Sequence, residues 1–216
     1  MTEDYKNSKW ALEIIELQKE DGSWGCFHTL SYPSKRYPLT TEQALRRLEI
    51  LGYTIDDEPI SKAVTYMHDC LAGKKELPDR KEKLHNWHIF TSLMLSTWIR
   101  RFTKDDQKAN EVGKKWAEII SYSFNDGEYD HHRYVEIYEK IHGLPPKGGR
   151  LVDAVTFYQV SLVADLLADQ TASAFLDYIL QKEAGIYYIY GKQLAILPPA
   201  FQSMETSRYL AAIELL

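Results

Sequence analysis

Apolar residues recur at helical spacing along most of the chain, and turn-forming residues interrupt them at intervals that predict helices and little else. Ala11, Leu12, Ile14, Ile15 and Leu17 predict a first helix over Ser8–Lys19. Thr40-Thr41-Glu42-Gln43 has the spacing of a capping box, Ala44, Leu45, Leu48 and Leu51 share a face behind it, and Gly52 stops the run, so a second helix is predicted over Thr41–Leu51. Pro59 suits a first helical turn, and Ile60, Val64, Met67 and Leu71 follow it as far as Gly73. A fourth helix is predicted over Asn86–Arg101 through Ile89, Phe90, Leu93, Met94 and Trp98. Thr103-Lys104-Asp105-Asp106 reads as a cap opening a fifth, with Val112, Trp116, Ile119 and Ile120 on its face. Three more are expected over Leu151–Leu167, Thr171–Gln181 and Ser203–Leu216. No stretch alternates with period two for long enough to require a strand, although Ile186–Tyr190 has room for a short one. The fold class is all-α, with about eight helices.

The helices pair into four αα hairpins, over about 8–51, 59–101, 104–167 and 171–216 of one domain spanning 1–216, and a turn recurs between partners. Its fullest form is Gln18-Lys19-Glu20-Asp21-Gly22-Ser23-Trp24-Gly25. Weaker forms are Asn125-Asp126-Gly127-Glu128-Tyr129-Asp130 and Gln181-Lys182-Glu183-Ala184-Gly185-Ile186-Tyr187. First members, centred near Leu12, Val64, Trp116 and Phe175, carry Ala, Ser and Lys, whereas second members are more uniformly apolar. A two-layer curved array has this asymmetry, with outer helices facing solvent and inner helices covered on most sides.

Gln18, Asp21, Gly22, Trp24 and Gly25 match without gaps the turn Gln-x-x-Asp-Gly-x-Trp-Gly, and on these residues the chain resembles the terpenoid-cyclase and protein-prenyltransferase superfamily. The resemblance implies a partial α/α toroid, an open arc or a small ring, because the family's closed ring uses more than four hairpins. It also implies that Gln18 ties one hairpin to its neighbour near a helix terminus while Trp24 stacks on it, both as structural residues. The family's catalytic motifs are missing. No Asp-x-Asp-Asp run occurs, and Asp56-Asp57-Glu58 lies before Pro59, where acidic residues favour a helix N-terminus. The zinc-holding Asp-x-Cys pair is not matched by the adjacent Asp69 and Cys70.

Long connections, around 25–39, 73–85, 124–150 and 183–202, all fall at one end of such an array, and binding residues favour loops on a rigid scaffold. Of the seven histidines, His28, His85, His131, His132 and His142 lie in those connections and His88 sits one turn inside the fourth helix. The same connections hold twelve Lys and Arg against nine Asp and Glu, in a chain of net charge −5, so this rim is less negative than the body and suits an anionic ligand. His85 and His88, three apart, can present two imidazoles to one metal ion; zinc would need a third ligand from His28, His131, His132 or Glu205, and capping with packing is the plainer reading, so no metal is assigned. Lys147-Gly148-Gly149-Arg150 precedes an inner helix whose N-terminus suits a phosphate or carboxylate, against the plainer reading of a flexible turn. Glu42, Trp87, His88, Asp153, Tyr158 and Glu205 stand near inner-helix starts, where they would project toward the concave mouth. His88 with Asp153 and Glu205 is the minimum for general acid–base work, whereas Glu42 and Glu205 are equally explained as first-turn acids.

Two functions follow as expectations. The first is binding of a small, anionic or apolar, molecule in the mouth, by His28, His85, Trp87, His131, His132, Arg150 and Tyr158, with the residues leaving catalysis undecided. The second is a non-catalytic helical-repeat module that binds a peptide or protein. The negative net charge argues against a nucleic-acid surface, and no apolar run suits a membrane span or signal, so the expected location is cytoplasmic, with Cys26 and Cys70 as thiols. Leu210, Ile213, Leu215 and Leu216 run apolar to the last residue, so a cover is expected there: the first hairpin, a homodimer partner, or chain continuing past Leu216.

Overall fold

The computed structural model describes residues 5–28, 38–81, 86–147 and 157–181, and every regular element among them is helical. After a 3-10 turn at Tyr5–Asn7 come α1 (Lys9–Glu16), α2 (Thr41–Ile50), α3 (Glu58–Leu71), α4 (Trp87–Phe102), α5 (Gln107–Ser123), α6 (His131–His142), α7 (Phe157–Val163, continued by a 3-10 turn at Ala164–Leu166) and α8 (Asp169–Gln181). The short strand expected at 186–190, the final helix at 203–216 and its apolar edge lie outside the described residues. No helix among the described residues is long and apolar enough to cross a membrane. Contacts gather the chain into two units, Met1–Lys81 with Trp98–Lys108, and Glu82–Thr97 with Ala109–Leu216, so α4 contributes to both.

In the first unit the Gln18–Gly25 turn fixes three helices at once. Gln18 leaves α1, which therefore ends at Glu16 instead of Lys19, and its Nε2 donates to the carbonyls of Gly22 (3.0 Å) and Pro59 (2.8 Å). Asp21 accepts from the backbone N–H (3.0 Å) and hydroxyl (2.7 Å) of Ser23. Gly22 adopts φ +90°, and a Cβ there would stand 2.4 Å from the carbonyl oxygen of Lys62 on α3. Only glycine meets both conditions. Trp24 is fully buried; its indole N–H donates to the carbonyl of Ile14 at 2.6 Å, and its backbone N–H to Oγ1 of Thr41 at 3.0 Å.

The capping box expected at α2 is present, with Thr40 Oγ1 accepting from Gln43 N–H and Gln43 Oε1 accepting from Thr40 N–H. The N–H groups of Thr41 and Glu42, which an isolated helix leaves unsatisfied, donate to the carbonyls of Cys26 and Phe27. Buried Asp79 holds the other edge of that segment, accepting from Phe27 N–H at 2.6 Å and His28 N–H at 2.8 Å. Tyr53, beyond the end of α2, donates its hydroxyl to the carbonyl of Lys6, ahead of α1, at 2.7 Å. With Trp24 joining the far ends, α1 and α2 run antiparallel.

Two expected caps are used differently. Asp57 stands at the N-cap of α3, yet its carboxylate turns back to Thr54 N–H (2.7 Å) and Lys6 Nζ (2.8 Å) instead of capping the helix. Thr103 accepts from Asp105 N–H (3.2 Å), closing a local turn, so α5 opens at Gln107 and not within the Thr103–Asp106 cap. Pro59 lies in the first turn of α3, as expected, and Ile60, Ala63, Tyr66 and Met67 form its buried stripe.

The second unit holds the main departure. The connection expected over Phe124–Arg150 contains α6, capped by Asp130, whose carboxylate accepts from His132 and Arg133 N–H, and closed by Gly143 in the left-handed region. Tyr134, Ile137 and Tyr138 are buried, and the Tyr138 and His142 rings lie 5.9 and 5.6 Å from Trp116 of α5. Phe175 of α8 is buried against Phe124 at 5.4 Å. Residues 158–163 of α7 are buried without a break, as are 93–100 of α4, whereas α1 buries only Ala11 and Ile14.

Candidate functional site

The residues read as a rim site divide between the two units. In the first, His28 is half-buried and held through its backbone by Asp79. Glu42 is fully buried, and its Oε1 accepts from the Trp98 indole at 3.1 Å and lies 3.4 Å from Arg46 Nη2. The Arg46 and Arg101 guanidinium groups lie 5.7 and 5.8 Å from the Trp98 ring, and Arg101 pairs with Glu49 at 2.7 Å. This carboxylate is a packed element of the α2–Trp98 contact, with its charge matched by Arg46.

In the second unit the structure brings together part of the aromatic set. Trp87 lies 6.2 Å from Phe90, which meets Tyr158 edge-on at 5.8 Å. Tyr158 is buried, and its carbonyl accepts from the Thr97 hydroxyl at 3.0 Å. His88 is exposed in the first turn of α4. His131 and His132, expected in a loop, are exposed at the start of α6, where the hydroxyl of Tyr129 lies 3.0 Å from His131 Nδ1. His142 belongs to the last turn of the same helix, so the histidines of this stretch ride on a helix and not on a loop. His85, Arg150, Asp153 and Glu205 lie outside the described residues. Among the described residues no group of three or more His, Cys, Asp or Glu is arranged to hold a metal ion.

Burial sets the titration of the remaining reactive groups. The Cys26 thiol is pushed up by burial and by the neighbouring Asp79 charge. Burial raises Cys70 to about 11, against a smaller opposing effect of its hydrogen bond with the Tyr66 phenol. Burial lowers the imidazole of His142 to about 4, with Lys115 adding to the effect, and its Nε2 is enclosed without a hydrogen-bond partner. Groups shifted in this direction stay neutral at pH 7.

The site that the residue pattern did not indicate is a groove of about 600 Å³ between α1 and α2. Trp10 and Ile14 from α1, Leu17 just beyond it, Ile50 from α2, and Leu39 and Leu51 on either side of α2 line it. Glu13 and Arg47 bring opposite charges from the two helices. Trp10 is 66% and Ile50 73% exposed, unusual for side chains of this size. Ile50 falls outside the apolar stripe of α2, Ala44, Leu45, Leu48 and Leu51, and that misfit is the sequence signal for the groove. Comparisons with family models, with curated proteins and with solved structures give no match for this chain.

Proposed function

We propose that the chain is a divergent α/α-repeat binding module, of the kind its Gln18–Gly25 turn resembles, and that it takes an amphipathic helical segment of a protein or peptide into the α1–α2 groove. The observation that carries this reading is the pair Trp10 and Ile50, held largely in solvent on either side of an apolar floor. Covering them releases water from apolar surface, and a rigid exposed tryptophan is the side chain that most often anchors such contacts. A groove flanked by two helices accepts a third, whose apolar residues at i, i+3 or i+4, and i+7 enter the floor. The repeat relationship draws support from Gln18, which bridges the turn to the Pro59 carbonyl at the start of the next outer helix. The free thiols of Cys26 and Cys70 fit a reducing cytoplasm.

A library of displayed amphipathic helical peptides, selected on the full chain, tests the reading. Recovered peptides should share the apolar stripe and lose binding to Ile50→Glu. Peptides that bind Ile50→Glu and Trp10→Ala as well as the parent would refute it.

A second reading, small-molecule binding at the long-connection end, draws on the Trp87–Phe90–Tyr158 contact beside His88. Fragment screening by NMR, with His88→Ala as control, separates it: fragments of this site shift resonances of Trp87 and His88 and leave Trp10 and Ile50 unmoved.

A further inference from the structure

We propose that Tyr129 is an oxidative modification site, the residue at which this chain gives up an electron to a diffusible radical oxidant, with His131 as the base that takes the phenol proton. The Tyr129 hydroxyl lies 3.0 Å from Nδ1 of His131. In the tautomer that carries its proton on Nε2, Nδ1 is the acceptor and the phenol donates to it. Imidazole takes up a proton in the neutral range, as no other unperturbed side chain does. The two rings are also held in place. Tyr129 lies against Tyr178 at 4.4 Å and Phe124 at 5.5 Å, and His131 stacks on Tyr134 at 6.1 Å with 19° between the planes. Between them the Asp130 N–H donates to the Ser123 carbonyl at 2.9 Å while its carboxylate caps α6, so the backbone joining the pair is fixed too. A hydrogen bond prepared in this way needs little reorganisation when the proton crosses it.

Other tyrosines are placed differently. The Tyr53 hydroxyl donates to a backbone carbonyl, which cannot keep a proton, and the Tyr122 hydroxyl lies 3.4 Å from a Glu136 oxygen, a longer contact to a weaker base. Burial holds the proton on Tyr138, pushing that phenol up to about 12, and raises Tyr66 in the same way. A phenol whose proton leaves with the electron avoids a strongly acidic radical cation and is the easier to oxidise. With the carbonate radical anion as oxidant, one electron passes from the Tyr129 ring to the radical, which becomes carbonate. The O–H bond of Tyr129 breaks and an N–H bond forms on Nδ1 of His131. The products are a neutral phenoxyl radical, an imidazolium and carbonate, so atoms, electrons and charge balance. All these rings except Tyr53 and Tyr66 belong to the second unit, and the site is independent of the α1–α2 groove.

Peroxynitrite in bicarbonate buffer, which supplies the carbonate radical together with nitrogen dioxide, tests the proposal on the full chain. Nitrogen dioxide adds to the ring carbon beside the phenoxyl oxygen, the hydrogen of that carbon moves to the oxygen, and the resulting 3-nitrotyrosine is located by peptide mass mapping. Tyr5 and Tyr122 are 47% and 40% exposed and Tyr129 is half-buried, so accessibility alone labels the first two ahead of it. At low dose Tyr129 should instead carry at least about three times the label of either. His131→Phe keeps an aromatic ring beside Tyr134 and removes the base; His131→Gln keeps an acceptor for the hydroxyl but cannot hold the proton. Both should lower the label at Tyr129 about fivefold or more, with Tyr5 in the same molecule as the reference. Label concentrated on Tyr5 or Tyr122 in the parent overturns the proposal, as does label at Tyr129 that survives either substitution.

Discussion

The side-chain amide of Gln18 donates to the carbonyl of Pro59, 41 positions away, at 2.8 Å, and this bond draws the end of α1 against the start of α3. Gly22 is thereby brought so close to α3 that a Cβ would meet the Lys62 carbonyl at 2.4 Å. Gly127 has a similar φ, +82°, but nothing lies within 4 Å of its missing Cβ. Gly127→Ala should therefore cost only the conformational strain, about 1 kcal/mol, whereas Gly22→Ala should cost at least about 3 kcal/mol because backbone must move as well. Urea unfolding of the two variants checks the difference; equal midpoints would show that the turn does not hold α3 this closely.

Asp79 should be a stability residue despite its carboxylate. Its two oxygens serve two backbone N–H groups, the buried one of Phe27 and the part-buried one of His28. Asp79→Asn offers one oxygen for two donors and turns an amide N–H₂ toward the other, so a loss of about 1–3 kcal/mol is expected, with Asp79→Ala no milder. Hydrogen exchange at the amides of Phe27 and His28 should accelerate in both variants, and unchanged protection would count against this role.

Stability should depend on pH through His142. The folded chain keeps this ring neutral until pH approaches 4, while the unfolded chain protonates it near 6.5. Between those values the unfolded state binds the extra proton, so stability rises with pH: the contribution is complete above about 6.5 and is lost as pH falls toward 4. Partial exposure of the ring reduces its size to on the order of 1 kcal/mol. Thermal melts of the parent and of His142→Phe across this range should show a shallower slope in the variant.

The thiols should be slow nucleophiles. With Cys70 raised to about 11, roughly one molecule in ten thousand carries its thiolate at pH 7. Alkylation of the folded chain by iodoacetamide should be far slower at Cys70 than in urea, and should accelerate with each unit of pH above 8. Rapid labelling of Cys70 at pH 7 would mean that α3 opens readily there.

How far the sequence discloses this structure depends on the range of the interactions involved. The second helix is readable from both ends because Thr40, Gln43 and Gly52 act within four residues of where they stand. Helix α6 carries equally local signals, with Asp130 before it, Tyr134, Ile137, Tyr138 and Ile141 along one face and Gly143 behind it. A repeat scheme that assigns Phe124–Arg150 to a single connection hides them. Thr103 and Asp57 mislead for another reason. A short polar side chain has several backbone and side-chain partners within reach, and the choice among them is settled by neighbours such as Lys6, which arrives from 51 residues away.

The groove is hidden more deeply. Trp10 and Ile50 stand on helices whose antiparallel pairing rests on bonds such as that between Tyr53 and Lys6, 47 residues apart. Trp87 and Tyr158 stand near helix starts in the sequence, and the Phe90 ring lies 6.2 Å from the one and 5.8 Å from the other. Glu42, also near a helix start, is committed to Trp98 and Arg46.

That α4 supplies residues to both units bears on how the protein tolerates being cut. A chain ending at Lys81 keeps α1, α2 and the groove, but it removes the Trp98 indole from Glu42 and the Arg101 guanidinium from Glu49. The sequence order of the units thus gives no single peptide bond at which a protease or a recombination event separates two intact halves.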